Sequence, residues 1–195
     1  MTYDTKAKLY KEIPIVFGAR VSGKINKNWR LGVMTMQTDK SALLKASSQN
    51  YSVVAIQRQL FTRSNIAFIF ANKQAFGTDT TNDYQYQTTQ FNRVIGVDYN
   101  LNSADSKWKG KMFFHQSLQP KVLPRQYAHA SFMSYNTSVL QLQWNHEYVG
   151  ENFNAEIGFV QRKNYWRIEP SAKWIYYPKS TTVNNFGFNY RYPLR

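Results

Sequence analysis

Apolar and polar residues alternate one by one along most of this chain, and a period of two restricts it to extended strands with two unlike faces. The run "GARVSGKI", from Gly18 to Ile25, sets the pattern. Phe17, Ala19, Val21 and Ile25 share one side, and Gly18, Arg20, Ser22 and Lys24 share the other. The same letters nearly spell a phosphate-binding loop, but Ile25 stands where that loop needs a magnesium-binding hydroxyl. Such a loop also needs a helix after its glycines. Here the turn signal "NKNW" follows, and then a second alternating run with Trp29, Leu31 and Val33 opposite Arg30 and Gly32. The stretch reads as one arm of a β-hairpin.

The habit recurs. Ile66, Phe68 and Phe70 share a side of their run, and Ile95, Val97, Tyr99 and Leu101 oppose Gly96, Asp98 and Asn100. Trp108, Met112 and Phe114 stand against Lys107, Lys109 and Lys111, and Leu140, Leu142 and Trp144 against Gln141, Gln143 and Asn145. "NAEIGFVQR" sets Ile157 and Phe159 opposite Glu156, Gly158 and Arg162. Trp166, Ile168, Ala172, Trp174 and Tyr176 oppose Arg167, Glu169, Ser171 and Lys173, and Phe186, Phe188, Tyr190 and Tyr192 alternate with Gly187, Asn189 and Arg191. "YSVVAIQRQLF" is a strand of ambiguous facing, "QPKVLPRQYAHA" reads as a long loop, and Pro170 demands a bulge or break in its strand. This amounts to about eleven strands and no convincing helix.

The apolar side is aromatic rather than aliphatic. Aromatics make up 16% of the chain, with 14 Tyr, 13 Phe and 5 Trp, while the mean hydropathy is only −0.56. A soluble sandwich hides Val, Ile and Leu on its inner faces. A membrane barrel instead places rings at the water–lipid boundaries and lines its interior with polar groups. The expectation is an all-β, antiparallel, up-and-down transmembrane β-barrel. Trp29, Trp108, Trp144, Trp174, Tyr176, Phe186, Phe188 and Tyr190 are then lipid-facing or girdle residues. Arg20, Lys24, Arg30, Lys107, Lys109, Lys111, Arg167 and Lys173 face the lumen. Residues 1–195 form one barrel domain or a fragment of one, with 1–12 a polar lead-in. An odd strand number does not close a bacterial barrel, and "AKLYKEI" makes a poor extra strand, so the sheet is expected to be open.

Several segments carry a family resemblance. "EIPIVFGARVSGKINKNWRLGVMTMQT", "YSVVAIQRQLFTRSNIAFIFANKQ", "FNRVIGVDYNL" and "YVGENFNAEIGFVQRKNYWRIEPS" occur in that order, and "VGENFN" followed by "EIGFV" is the most specific piece. Together, from about Ile13 onward, they resemble the barrel of a large Gram-negative outer-membrane family of unknown function. In that family a family-nine-type carbohydrate-binding domain precedes the barrel. The resemblance implies that an export signal, the sugar-binding domain and the first barrel strands precede Met1. It implies an outer-membrane location and a link to carbohydrate use that no residue here carries.

The net charge of +14, from 25 basic and 11 acidic residues, implies an anionic partner or surface. Anionic solutes or polysaccharide in the lumen fit, as does outer-membrane lipid. Nucleic acid does not, because single-strand-binding surfaces carry aromatics and cations on one face, and here they lie on opposite ones. The runner-up is a soluble basic β-barrel or sandwich that binds an anionic polymer, polysaccharide or nucleic acid. No cysteine is present, so disulfides and thiolate chemistry are excluded. His115, His129 and His146 each stand alone, and no metal or cofactor is expected. Glu147, Glu151 and Glu156 read as charges around one barrel mouth rather than a glycosidase pair. Without a nucleophile elbow either, the chain is expected not to be an enzyme but a pore, uptake or surface-assembly component.

Overall fold

A computed structural model of the chain describes residues 2–4, 9–11, 13–40, 47–76 and 91–192. All regular structure among them is β. The strands β1 (Thr2–Asp4) and β2 (Leu9–Lys11) form a small separate ladder, so Leu9–Lys11, the described strand of "AKLYKEI", does not extend the main sheet. The main sheet contains β3 (Ile15–Lys24), β4 (Trp29–Thr38), β5 (Ser48–Leu60), β6 (Ser64–Phe76), β7 (Phe91–Asn102), β8 (Trp108–Leu118), β9 (Tyr127–Asn136), β10 (Leu140–Val149), β11 (Tyr165–Ile168), β12 (Ser171–Tyr176) and β13 (Phe186–Arg191). It is antiparallel and up-and-down, and it is not closed: β3 and β13 are its two edges.

β11 and β12 are halves of one crossing. Both pair with β10 in a continuous register, His146 opposite Ile168 and Gln143 opposite Ser171. Pro170 parts them because it has no N–H for the ladder. Its carbonyl accepts from the Tyr192 amide at 3.1 Å, and the Glu169 amide before it donates to the Asn145 carbonyl at 2.7 Å. With these halves joined the sheet crosses ten times, an even number. Openness therefore does not arise from an odd strand count, as the sequence had implied.

At one end of the strands the connections are short, spanning 25–28, 61–63, 103–107 and 137–139, with 177–185 longer. Local side chains build them. Asn26 Oδ1 accepts from the amides of Asn28 at 2.8 Å and Trp29 at 3.0 Å, which is why "NKNW" turns. In the β7–β8 turn the Ser103 hydroxyl donates to Asp105 at 2.6 Å and accepts from the Trp108 amide at 3.0 Å. At the other end the chain is joined across 39–47, 77–90, 119–126 and 150–164.

Two expectations are corrected. The segment expected as a long loop ends at Gln126, and Tyr127–Asn136 is a full strand. "NAEIGFVQR", expected as a strand, is irregular. It belongs to the 150–164 connection, which folds back across the sheet and buries Phe153 against Ala128 and Val149. Phe113, Ala155, Val160 and Tyr165 pack around this small core. Gly150 opens the connection where a Cβ would collide with the carbonyl oxygens of Arg125 and Tyr127, so the backbones approach closely only because it is glycine.

Candidate functional site

The strand register divides the sheet into two faces, and each face changes character along the strands. Near the short turns one face is apolar: Leu31 and Val33 on β4, Val54 and Ile56 on β5, Ile66, Phe68 and Phe70 on β6, Val97 and Tyr99 on β7, Met112 and Phe114 on β8, Leu142 and Trp144 on β10. These side chains are not a core. Phe68, Val97, Phe114 and Trp144 are all at least 41% exposed. The same face becomes polar toward the long connections. Asn50 donates to Thr35 and Gln37 at 3.2 Å each, Ser52 donates to Asn50 at 2.6 Å, and Arg93 donates to Asn72 at 3.0 Å.

The opposite face is polar near the short turns, where it carries Arg30, Gln57, Asn65, Asp98, Lys111 and Gln143. Toward the long connections it is mixed: Met34, Val53, Val94, Ala128 and Val149 stand there with the buried polar side chains of Thr38, Gln49, Asn92 and Ser117. The first face turns polar part-way along β4–β10, whereas on β3, β12 and β13 it stays apolar or aromatic.

The boundary between apolar and polar on the first face is level across β4–β7 and steps toward the short turns on β9 and β10. Thr35, Ser52, Asn72 and Arg93 lie in one row, and that row runs on through Leu118 toward position 152 on the β10 side. The first polar residue on β10 is His146, six residues nearer the short turns after six strand steps. Trp29 is in register with Met112, and Trp108 lies four residues nearer the short turns, while Trp144 lies two residues on the long-connection side of the row through Trp108.

Seven of the eight basic residues singled out in the sequence, Arg20, Lys24, Arg30, Lys109, Lys111, Arg167 and Lys173, stand on the second face. Lys107 lies instead in the β7–β8 turn, 3.3 Å from Asp105, because β8 begins one residue later. Hydrogen bonds from the Ser103 hydroxyl and the Lys107 amide hold the Asp105 carboxyl below its usual range. The eight aromatic candidates Trp29, Trp108, Trp144, Trp174, Tyr176, Phe186, Phe188 and Tyr190 share the first face. Trp174 stacks on Phe188 at 6.4 Å and 7°.

On the second face Asp98 bonds His115 at 2.8 Å and lies 3.6 Å from Lys111, while Arg167 reaches Glu147 at 2.9 Å and Glu169 at 4.0 Å. Lys24, Lys27, Arg30 and Arg63 gather with Gln57, Gln59 and Asn65 around a hollow of about 400 Å³ at the short-turn end. A second hollow of about 460 Å³ continues from it over Gly32, Ala55 and Ala67.

The 150–164 connection crosses this face toward its other end. Asn92, 1% exposed, donates to the Asn154 carbonyl at 2.9 Å and accepts from the Glu156 amide at 3.1 Å. Ser117, fully buried, accepts from the Asn154 amide at 3.1 Å, and Lys73 meets Glu156 at 2.5 Å. Glu156 is thus bound into the sheet and Glu147 is paired with Arg167, an arrangement that separates the two carboxylates by partner and by element.

The histidines do not all stand alone. His129 Nδ1 and His146 Nε2 are 2.9 Å apart on neighbouring strands, beside Tyr127, Tyr148 and Trp144. They sit on the first face at the polar limit of the apolar band. Their 17-residue separation gives no sequence signal; only the β9–β10 register joins them. Among the described residues no group of three or more metal-ligating side chains occurs, and no helix is long and apolar enough to cross a membrane, which says nothing of a barrel.

No protein-family model, curated protein or solved structure matches this chain.

Proposed function

We propose that the chain is part of an outer-membrane β-barrel of a Gram-negative bacterium, non-enzymatic, serving as a pore, uptake or surface-assembly component. One observation carries the reading: near the short turns the first face is apolar, aromatic and exposed while the second is polar, and along β4–β10 the first face turns polar toward the long connections. A barrel strand needs an apolar outer face and a wet inner one within the bilayer, and beyond it the outer face meets water and can be polar. Short turns at one end and longer connections at the other also agree with outer-membrane barrels.

In this reading the aromatic candidates are lipid-facing or girdle residues, and the cations of the second face line the lumen, where anionic solutes or polysaccharide are attracted. The segment 150–164 fills the lumen at its long-loop end. A link to carbohydrate use rests on the family resemblance of the quoted segments alone.

The test is solubility. Expressed without an export signal, the chain forms inclusion bodies and refolds only with detergent or lipid. A monodisperse β-rich species in plain buffer would overturn the membrane reading in favour of a soluble basic β-protein that binds an anionic polymer.

A further inference from the structure

The charges of the second face are divided unevenly. Between β7 and β12, Asp98, Glu147 and Glu169 each have a basic partner within 4.0 Å. Around the hollow at the β3–β6 end, Lys24, Lys27, Arg30 and Arg63 have no carboxylate within ion-pair distance among the described residues. Four cations turned toward one cavity repel each other, and a bound anion relieves that repulsion. The floor that continues the hollow is made of small residues, Gly32, Ala55 and Ala67, which leave room above the backbone.

The wall between the cations is neither apolar nor aromatic. Gln57 and Asn65 offer carboxamides, which donate and accept together and so suit hydroxyl groups; the Asn65 oxygen also accepts from the Asn100 side chain at 2.8 Å. A bare inorganic anion has no use for the acceptor half of those groups. A nucleic-acid strand needs rings to stack on, and no aromatic residue lines the hollow.

We propose that this hollow binds an acidic saccharide, its carboxylate or phosphate groups on Lys24, Lys27, Arg30 and Arg63 and its hydroxyls on Gln57 and Asn65. The site rests on the second face being open to water, as the membrane reading has it. Lys109 and the Asp98-paired Lys111, on β8 of the same face and outside the hollow, are its internal control.

The experiment uses the full chain refolded in detergent, its β content followed by circular dichroism and its binding by calorimetry. The probes are trigalacturonic acid, the matching neutral galactose trisaccharide, inorganic phosphate and a short oligothymidylate. Trigalacturonic acid binds, and salt weakens it; the neutral sugar does not bind. Replacing Lys24→Gln together with Arg30→Gln weakens binding by at least about tenfold, since each lost contact is a charge-assisted hydrogen bond. Lys109→Gln with Lys111→Gln stays within about twofold. Equal losses in the two double variants would overturn the proposal. So would a neutral sugar, phosphate or oligothymidylate that binds as tightly as the acidic trisaccharide. A chain folded in detergent that fails to bind overturns the site alone. A chain folded in plain buffer overturns the membrane reading, and the same titrations in that buffer still decide the site.

Discussion

The side-chain amide of Asn92 holds the backbone around Asn154 from two sides, giving a hydrogen bond to the Asn154 carbonyl at 2.9 Å and taking one from the Glu156 amide at 3.1 Å. The two residues are 62 apart in the chain, and Asn92 is almost fully buried. Asn92→Ala leaves a carbonyl and an amide unpaired beneath the 150–164 segment, a cost of about 1–3 kcal/mol for each buried group. The expected result is a lower denaturant midpoint and faster tryptic cleavage after Arg162 or Lys163. A variant with wild-type midpoint and wild-type cleavage would show that Asn92 does not secure the segment.

Gly150 governs how that segment leaves β10. A methyl group there meets the carbonyl oxygens of Arg125 and Tyr127, both backbone atoms that cannot swing aside as a side chain does. Gly150→Ala is expected to destabilise the fold by about 1–3 kcal/mol, the usual range for forced overpacking. Gly23→Ala is the comparison, since nothing lies within 4 Å of its added Cβ. Comparable midpoints for the two variants would refute the close-approach argument.

Much of this was legible from alternation, and the failures share a cause. β3, β4, β6, β7 and β8 keep their apolar residues on one parity long enough to be read as strands. β5 crosses the level at which the first face turns polar, so Val53 belongs to one apolar set and Val54 to the other, and its facing looks ambiguous. β9 was hidden for the same reason: Ala128 and Ala130 are on one face, Met133 and Tyr135 on the other. The 150–164 segment misled in the opposite sense. Ile157 and Phe159 alternate as in a strand, yet Phe159 is 89% exposed, and the buried residue is Phe153. Its partners Asn92, Ser117 and Lys73 lie on three other strands, and short-range periodicity does not contain them. The uncompensated cations at Lys24, Lys27, Arg30 and Arg63 were half visible, because Arg63 and Lys27 sit in turns and join the strand residues only through the β3–β6 register.

Asp105 gives the β7–β8 turn a pH dependence of known sign. The Ser103 hydroxyl and the Lys107 amide favour its ionised form and depress its folded pKa. A depressed carboxyl stabilises the turn above the unfolded value, about 3.9, and that contribution is lost as pH falls through the still lower folded value. The carboxylate is exposed, so the effect is local. NMR titration of Asp105 is expected to give a midpoint below that of a denatured control, and Asp105→Asn to abolish the acid-induced shift of the Trp108 amide. A midpoint at or above the control contradicts the assignment.

The open edges invite a distance measurement. Neighbouring strands lie about 4.8 Å apart, so labels on paired strands would report close contact. Spin labels at Val21 on β3 and Phe188 on β13, introduced into a chain without cysteines, are expected to lie several strand spacings apart in detergent. A sharp short-distance population that persists on dilution with unlabelled chain would mean that β3 and β13 pair within one molecule and that the sheet closes on itself.

Leu142 and Gln141 are neighbours in β10 on opposite faces, and Val33 and Gln37 in β4 share a face on opposite sides of the polar boundary. The pairs separate two claims. If the first face meets lipid near the short turns, an arginine near the bilayer midplane costs roughly 2–4 kcal/mol, and one facing water costs far less. Leu142→Arg, Val33→Arg and Phe188→Arg are therefore expected to impair folding into liposomes, while Gln141→Arg and Asn189→Arg are tolerated. Gln37→Arg is tolerated too, although it points the same way as Val33, because the band has ended before it. A soluble protein predicts otherwise: Leu142 is 40% and Phe188 70% exposed, and arginine at such positions costs little in water. Equal penalties at Leu142 and Gln141 would disprove the division into faces. Equal penalties at Val33 and Gln37 would leave the faces in place and disprove the polar boundary on the first.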